Sequence, residues 1–252
     1  MQITPVVKQL LIINIIFYIG SVIVGAPAYQ LLSLFYVESP QFHFWQLLTS
    51  MFMHAPPPNI MHIAFNMFAL YSFGSALEHF WGPKKFIFFY LSCGLGAALL
   101  NSGVNYLVFH NGLQDLVQAG FSEADIYKTL NGGQYNVGWT EPLGANGLSG
   151  FIGAYNGSML GASGAIYGLL VAFAFMFPNA ELALMFIPIP IKAKYFVSGL
   201  IVVDLILGVK GSSIFGSGGT GIAHFAHIGG ALIGFIMMWY WKKNEFNNRR
   251  WN

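Results

Sequence analysis

Residues 161–170 read GASGAIYGLL, which places one serine, Ser163, between two glycines at the head of an apolar run. A hydroxyl in such a run faces protein or lipid, with little water nearby. The stretch by itself fits both a small packing residue and a nucleophile held inside a membrane. Which of the two applies depends on what the rest of the chain brings to Ser163.

The composition is that of a membrane protein. Of the 252 residues, 56% are hydrophobic and only 8% are charged, and the mean hydropathy is +0.60. Soluble domains carry about 25% charged residues, which keep their surfaces compatible with water. We therefore expect an integral membrane protein in a lipid bilayer. No basic patch suggests a nucleic-acid partner, and the single cysteine, Cys93, excludes an internal disulfide.

Six apolar runs have about the length that spans a bilayer as a helix, and backbone polar groups in lipid must be satisfied internally. The predicted fold is an all-α membrane protein with six transmembrane helices in a single domain, residues 1–252. The helices are expected near residues 6–24, 60–77, 86–104, 159–177, 195–209 and 225–241. A polar, glycine-rich insertion occupies residues 105–157, and a charged tail follows at 242–252.

The first run has a second interpretation. Lys8 and the small residues Ala26-Pro27-Ala28 resemble the charged start and the cleavage site of a signal peptide. The proline and the length of the apolar region favour a spanning helix instead.

The distribution of Lys and Arg predicts the orientation. With the N-terminus inside, nine of these residues fall on the inner side and two on the outer side. The inner residues are Lys8, Lys84, Lys85, Lys192, Lys194, Lys242, Lys243, Arg249 and Arg250; the outer ones are Lys128 and Lys210. Both termini are therefore predicted to be cytoplasmic.

The insertion at 105–157 then lies outside. Ser122 precedes Glu123 and Asp125 in the pattern of a capped helix start. We expect a partly helical outer cap without a hydrophobic core of its own.

Several polar residues occur inside apolar runs, where burial is costly and function is the default hypothesis. Three groups recur near the outer ends of the second, fourth and sixth runs, hence at similar depth, and Asp204 lies in the fifth run. The groups are His62 with Asn66, Ser163 with Tyr167, and His224 with His227.

Glycines accompany two of these groups. The fourth run contains Gly161, Gly164 and Gly168, and the sixth contains Gly229, Gly230 and Gly234. Small residues four apart let membrane helices approach closely. This approach is what a hydrogen bond between Ser163 and His227 requires.

The pattern supports a hypothesis of nucleophilic catalysis. His227 would take the proton from Ser163, which attacks a carbonyl. The oxyanion donors would be the Ser163 N–H, His62 and Asn66, while Tyr167 would orient the imidazole of His227. Nothing in the sequence shows that Asp204 faces His227, so a Ser-His dyad is the more economical reading.

Three motifs resemble those of rhomboid intramembrane serine proteases. Residues 161–164 (GASG) match the family's GxSG, residues 62–66 (HIAFN) its HxxxN, and residues 226–234 (AHIGGALIG) its AHxxGxxxG. They occur in the family order, and the resemblance covers roughly residues 10–241.

The resemblance implies a six-helix bundle around a water-filled cavity open to the outer side, with Ser163 on its floor. It implies Ser163 as nucleophile, His227 as base, His62 and Asn66 as oxyanion donors, and Tyr167 packed on the base. Glu78 resembles a structural acid at the inner end of the second helix. The implied substrates are single-span membrane proteins, and the bare length suggests a bacterial plasma membrane.

Three features depart from the family pattern. Gln46 follows Trp45 where the family often has a loop arginine, which puts the rigidity of that loop in doubt. Residues 56–58 (PPP) stretch the gap between His54 and His62. The outer insertion is longer than the shortest family members need.

Other readings are a catalytically inactive relative that binds membrane clients, and a transporter that uses Asp204 as a proton site. His224 and His227 have a spacing that a metal could use, but no third ligand is placed, so we expect no metal and no cofactor. The glycine-rich segment 211–221 and the fifth helix are candidates for a substrate gate.

Overall fold

The computed structural model describes residues 2–184, 187–210 and 222–246 of a mainly helical chain. Its helices are α1 (Pro5–Val24), α2 (Ala26–Leu32), α3 (Gln46–Thr49), α4 (Ile60–Ala69), α5 (Ser75–Trp81), α6 (Pro83–Gln118), α7 (Glu123–Asn131), α8 (Thr140–Asn156), α9 (Ser163–Met176), α10 (Ala193–Lys210) and α11 (Ile222–Phe246). The strands are β1 (Glu181–Leu184) and β2 (Ile187–Lys192). The predicted gate segment 211–221 and the tail end 247–252 lie outside the described residues.

A helix occupies each of the six predicted apolar runs. They are α1, α4 with α5, α6, α9, α10 and α11. In the described part of the chain, three continuous helical segments are long and apolar enough to cross a membrane: Pro5–Val24, Ile60–Trp81 and Pro83–Gln118. A five-residue π-helical turn, Leu70–Gly74, joins α4 to α5 in the second of them. The helix that begins at Ser163 is apolar but has only 14 residues.

Two predicted helix boundaries were wrong. The third helix does not end near residue 104 but continues to Gln118, with Gly112 packed so closely on Phe151 that an added Cβ would lie 2.6 Å from its ring. The fourth helix starts at Ser163 rather than near residue 159. Gly161 has φ +124°, a conformation outside the helical region, so the helix can form only after it.

The segment 105–157, the predicted outer cap, has a hydrophobic core, contrary to our expectation. α7 and α8 pack against the C-terminal end of α6 and enclose a cluster of buried side chains separate from the main core. The cluster comprises Tyr36, Phe109, Leu113, Leu116, Ile126, Leu130, Trp139, Leu148, Phe151, Ala154 and Tyr155. Ser122 caps α7 as predicted, accepting a hydrogen bond from the Asp125 N–H at 3.5 Å.

A short hairpin, which the sequence did not predict, lies in the segment expected to be an inner loop. β1 and β2 pair antiparallel, with Glu181 opposite Lys192. The hairpin joins α9 to α10.

Glu78 connects the C-terminal end of the second helical segment to the start of α1. Its carboxylate accepts hydrogen bonds from the Val6 and Val7 N–H groups, both at 2.9 Å, and from the Thr4 hydroxyl. The first N–H groups of a helix have no acceptor within the helix, and a negative charge there complements the helix dipole. Glu78 therefore holds the two segments together at this end.

Gln46 organises the loop between α2 and α3. It is fully buried, and its amide donates to the carbonyl groups of Gln30, Leu31 and Gln41. Its side-chain oxygen accepts from the backbone N–H groups of Phe35 and His43. A buried glutamine therefore hydrogen-bonds the loop together at the position where the rhomboid pattern often has arginine.

The same loop is fastened to the outer cap through Glu38. Its carboxylate accepts a hydrogen bond from Tyr127 at 2.7 Å and pairs with His110 Nε2 at 2.9 Å. Partial burial alone would raise the pKa of Glu38, but the contacts with His110 and Tyr127 outweigh burial and lower it.

The main core forms where α11 packs against α6 and α9. At the crossing of α9 and α11, a Cβ on Gly230 would lie 1.8 Å from the Gly164 carbonyl oxygen, and a Cβ on Gly234 would lie 2.8 Å from the Gly168 Cα. Only glycine fits such a backbone contact. The two helices that carry Ser163 and His227 therefore touch backbone to backbone.

Gly230→Ala should destabilise the protein by about 3 kcal/mol or more, because its Cβ meets backbone that cannot move without separating the helices. Gly103→Ala is the matched control, since nothing lies within 4 Å of the added Cβ in the same kind of helix. The measurement is thermal unfolding in detergent. Equal melting temperatures for the two variants would contradict the proposed packing.

Candidate active site

The structure brings Ser163 and His227 into hydrogen-bonding distance. His227 Nε2 lies 2.9 Å from Ser163 Oγ, although the residues are 64 positions apart in the chain. Ser163 is the first residue of α9, and His227 lies near the start of α11. Both side chains are half-buried. A hydroxyl and an imidazole at this distance are arranged for proton transfer.

The local backbone explains how Ser163 is presented. Gly161 turns the chain with a positive φ, and its N–H donates to the Ser50 carbonyl oxygen at 2.9 Å. The helix that follows places Ser163 at its N-terminus. N–H groups in a first helical turn have no helical acceptor and carry the positive end of the dipole.

Tyr167 lies one turn after Ser163 and packs flat on His227. The two ring centroids are 4.2 Å apart and the planes differ by 9°. This contact restricts the imidazole to one plane. The sequence placed Tyr167 on the Ser163 face through the spacing of four residues.

Asp204 also faces His227, which the sequence did not reveal. Its carboxylate oxygen Oδ1 lies 3.3 Å from His227 Nδ1, and the same oxygen contacts His224 Nδ1. The Tyr167 hydroxyl donates to Oδ2. The rotation of α10 about its axis determines this contact, and a uniformly apolar helix gives no sequence signal for that rotation.

His62 borders the same space from the second helical segment. The Ala55 N–H donates to His62 Nδ1 at 3.2 Å, so a neutral imidazole carries its proton on Nε2. A Cβ on Gly161 would lie 3.0 Å from His62 Nε2 and 3.5 Å from Ser163 Oγ. His62 Nε2 and Ser163 Oγ thus both lie close to one point beside Gly161.

Asn66 is buried on α4, one helical turn after His62. Its Nδ2 donates to the His62 carbonyl oxygen at 2.7 Å, within the same helix. An amide nitrogen has two protons, and this bond occupies one of them.

His54 is fully buried beside His62, despite the three prolines between them. The ring centroids are 5.2 Å apart. The prolines therefore do not carry His54 away from the site.

Among the described residues, one group has side chains close enough to bind a metal ion together: Asp204, His224 and His227. Their ligand atoms lie within 4.8 Å of one another. The third ligand that the sequence could not place is therefore in reach. His227 belongs both to this set and to the pair arranged for proton transfer, because its Nε2 lies 2.9 Å from Ser163 Oγ.

The predicted water-filled cavity at Ser163 remains a prediction. Two grooves on the described surface lie away from Ser163. One is lined by residues such as Ser21, Tyr29 and Pro57, and the other by residues such as Val171 and Phe235. Neither includes Ser163.

Comparison with known proteins identifies a family for this chain. The family model of the rhomboid domain matches residues 41–124 and 137–244, which include every residue of the site described above.

The chain belongs to the rhomboid family. Among the relatives, it is similar to the rhomboid protease AarA of Providencia stuartii, 26% identical over 219 residues, or 86% of this chain and 60% of the relative. It is also similar to the mitochondrial rhomboid protein 1 of Saccharomyces cerevisiae, 25% identical over 216 residues, or 85% and 46%. The mitochondrial presenilin-associated rhomboid-like protein of Mus musculus is 26% identical over 205 residues, or 79% and 40%.

The family membership and the apolar helices make this an integral, multi-pass membrane protein. The chain spans about half the length of the curated relatives it matches, between 40% and 60%. These relatives include a bacterial and two mitochondrial proteins.

Gly161→Ala should reduce the reactivity of Ser163 by about tenfold or more, because the position needs a positive φ and its Cβ would press on His62 Nε2. The measurement is the rate of labelling by a serine-directed fluorophosphonate, with Gly103→Ala as the control glycine. Wild-type labelling rates in Gly161→Ala would show that this backbone conformation is not needed at the site.

Proposed function

We propose that this rhomboid-family chain is an intramembrane serine endopeptidase that acts through Ser163 and His227. The single observation that carries the proposal is the 2.9 Å contact between Ser163 Oγ and His227 Nε2. The relation to a rhomboid protease supports the reaction class.

The reaction would proceed in two halves. Ser163 Oγ gives its proton to His227 Nε2 and attacks the carbonyl carbon of the scissile peptide. When the C–N bond breaks, His227 returns the proton to the leaving amine, and an acyl ester on Ser163 remains. Water then gives a proton to His227 and attacks the ester carbon. As the bond from Ser163 Oγ to that carbon breaks, His227 returns the proton to Oγ and the carboxyl product leaves.

The tetrahedral oxyanion would lie near the point beside Gly161. The Ser163 N–H, His62 Nε2–H and the Asn66 amide are the proposed donors. One such donor in a preorganised site is worth roughly 3–4 kcal/mol of barrier. The Ala55 contact, which leaves the proton on His62 Nε2, supports this role for His62.

Proposed substrates are single-span membrane proteins cut in or near the spanning segment. Rhomboid proteases act on membrane proteins within the bilayer, and the apolar surroundings of Ser163 suit such a substrate. We propose one membrane domain, a six-helix bundle with a cavity open to the outer side and both termini in the cytoplasm of a bacterium. The mechanism requires neither a cofactor nor a metal.

The transporter hypothesis is less well supported. Asp204, its proposed proton site, is bonded to Tyr167 and lies beside His227, so it belongs to the cluster around Ser163. An inactive client-binding relative is also disfavoured, because Ser163 and His227 are aligned.

Ser163→Ala and His227→Ala should each lower cleavage of a single-span test substrate by about 10³-fold or more, since both proton transfer and the nucleophile depend on this pair. The measurement uses purified protein in liposomes, with and without EDTA, and EDTA should leave wild-type activity unchanged. Gly103→Ala is the matched control and should retain wild-type cleavage.

Cleavage by the Ser163→Ala variant would refute the assignment of Ser163 as the nucleophile. Loss of wild-type cleavage in EDTA that returns with added metal would refute the metal-free mechanism. Wild-type protein that neither cuts nor reacts with a fluorophosphonate would favour the client-binding alternative.

A further inference from the structure

Asp204 is a buried carboxylate in an apolar helix, and such a group requires partners. Only 3% of its surface is exposed. A charged carboxylate in a low-dielectric environment is unfavourable unless hydrogen bonds or opposite charge compensate it. Asp204 finds three side chains, Tyr167, His224 and His227, on two other helices.

One of these partners is the proposed base. His227 has its Nε2 at 2.9 Å from Ser163 Oγ and its Nδ1 at 3.3 Å from Asp204 Oδ1. An imidazole that accepts a proton on Nε2 must hold its other proton on Nδ1. A carboxylate beside Nδ1 accepts that proton in a hydrogen bond and so favours the required tautomer.

The same carboxylate would act again during the reaction. When Ser163 transfers its proton, His227 becomes an imidazolium ion in apolar surroundings. A negative charge next to Nδ1 stabilises that cation without taking its proton, as in serine proteases that use an Asp-His-Ser arrangement.

Tyr167 connects the base and the carboxylate. Its ring stacks on His227, and its hydroxyl donates to Asp204 Oδ2. One side chain of α9 thereby fixes the plane of the imidazole and the orientation of the carboxylate. His224 occupies Oδ1 from one turn before His227, which further restricts the rotation of Asp204.

We propose that Asp204 is the positioning residue of the site and extends the Ser163–His227 pair to a Ser163–His227–Asp204 triad. The inference rests on the proposed protease function. Asp204 acts through His227 and does not touch the substrate. A purely structural role, tying α10 to α11, would leave the chemistry of His227 unchanged.

The first test is steady-state kinetics of Asp204→Asn on a fluorogenic single-span substrate. Asparagine keeps the size of the side chain but loses the charge, and its amide can hold the wrong tautomer of His227. We expect kcat to fall on the order of 10²–10⁴-fold with KM within about twofold. Asp115→Asn, an exposed aspartate of the outer cap, is the matched control and should keep wild-type kcat.

A milder variant guards against misfolding of Asp204→Asn. Tyr167→Phe keeps the stacked ring and removes only the hydroxyl that donates to Asp204, so kcat should fall in the same direction by a smaller factor, about tenfold. If both variants keep kcat within about twofold of wild type, the proposal is overturned.

The second test reads the tautomer of His227 directly by ¹⁵N NMR of histidine-labelled protein, with His227→Gln to assign the signal. Wild type should show the proton on Nδ1, and Asp204→Asn should show it moved to Nε2 or shared between the two nitrogens. An unchanged tautomer in the variant would overturn the positioning role. This measurement stands apart from cleavage, so it decides the inference even if wild-type protein proves inactive and the protease function fails.

Discussion

The backbone contact between α9 and α11 is the constraint on which the site depends. Gly230 and Gly234 of α11 meet the backbone of Gly164 and Gly168 of α9 without side chains between them, so a Cβ on either α11 glycine would overlap backbone atoms. A Cβ on either α9 glycine would instead overlap a side chain of α6, Ala97 or Cys93. This proximity sets the axes of the two helices close enough for Ser163 Oγ and His227 Nε2 to lie 2.9 Å apart. In a membrane, where the hydrophobic effect does not hold helices together, such close packing provides much of the attraction between them.

Polar side chains surround this contact, and burying any one of them without a partner would be unfavourable in free energy. Ser163, His227, Tyr167 and Asp204 come from three helices and satisfy one another. A charged Asp204 alone would be unfavourable in an apolar helix, but hydrogen bonds from these partners compensate its charge. The polar cluster is therefore stabilised by the same helix packing that creates the proposed site.

The sequence predicted the parts of this arrangement that depend on local patterns. The lengths of the apolar runs predicted where the helices lie. The four-residue spacing of the glycines predicted that the helices carrying Ser163 and His227 pack closely. The contact of Asp204 could not be predicted, because an apolar helix such as α10 offers no pattern that fixes its rotation. The core of the outer cap was also missed, since its aromatic residues, such as Phe109 and Trp139, are scattered through a polar, glycine-rich stretch.

The most direct test of the central claim is an experimental structure of the protein after reaction with a fluorophosphonate. The proposed chemistry predicts phosphorus bonded to Ser163 Oγ, with the phosphoryl oxygen about 3 Å from His62 Nε2 and from the Ser163 backbone nitrogen. An adduct on another side chain, or an oxygen directed away from both donors, would contradict the assignment of Ser163 as nucleophile and of the space beside Gly161 as the oxyanion site.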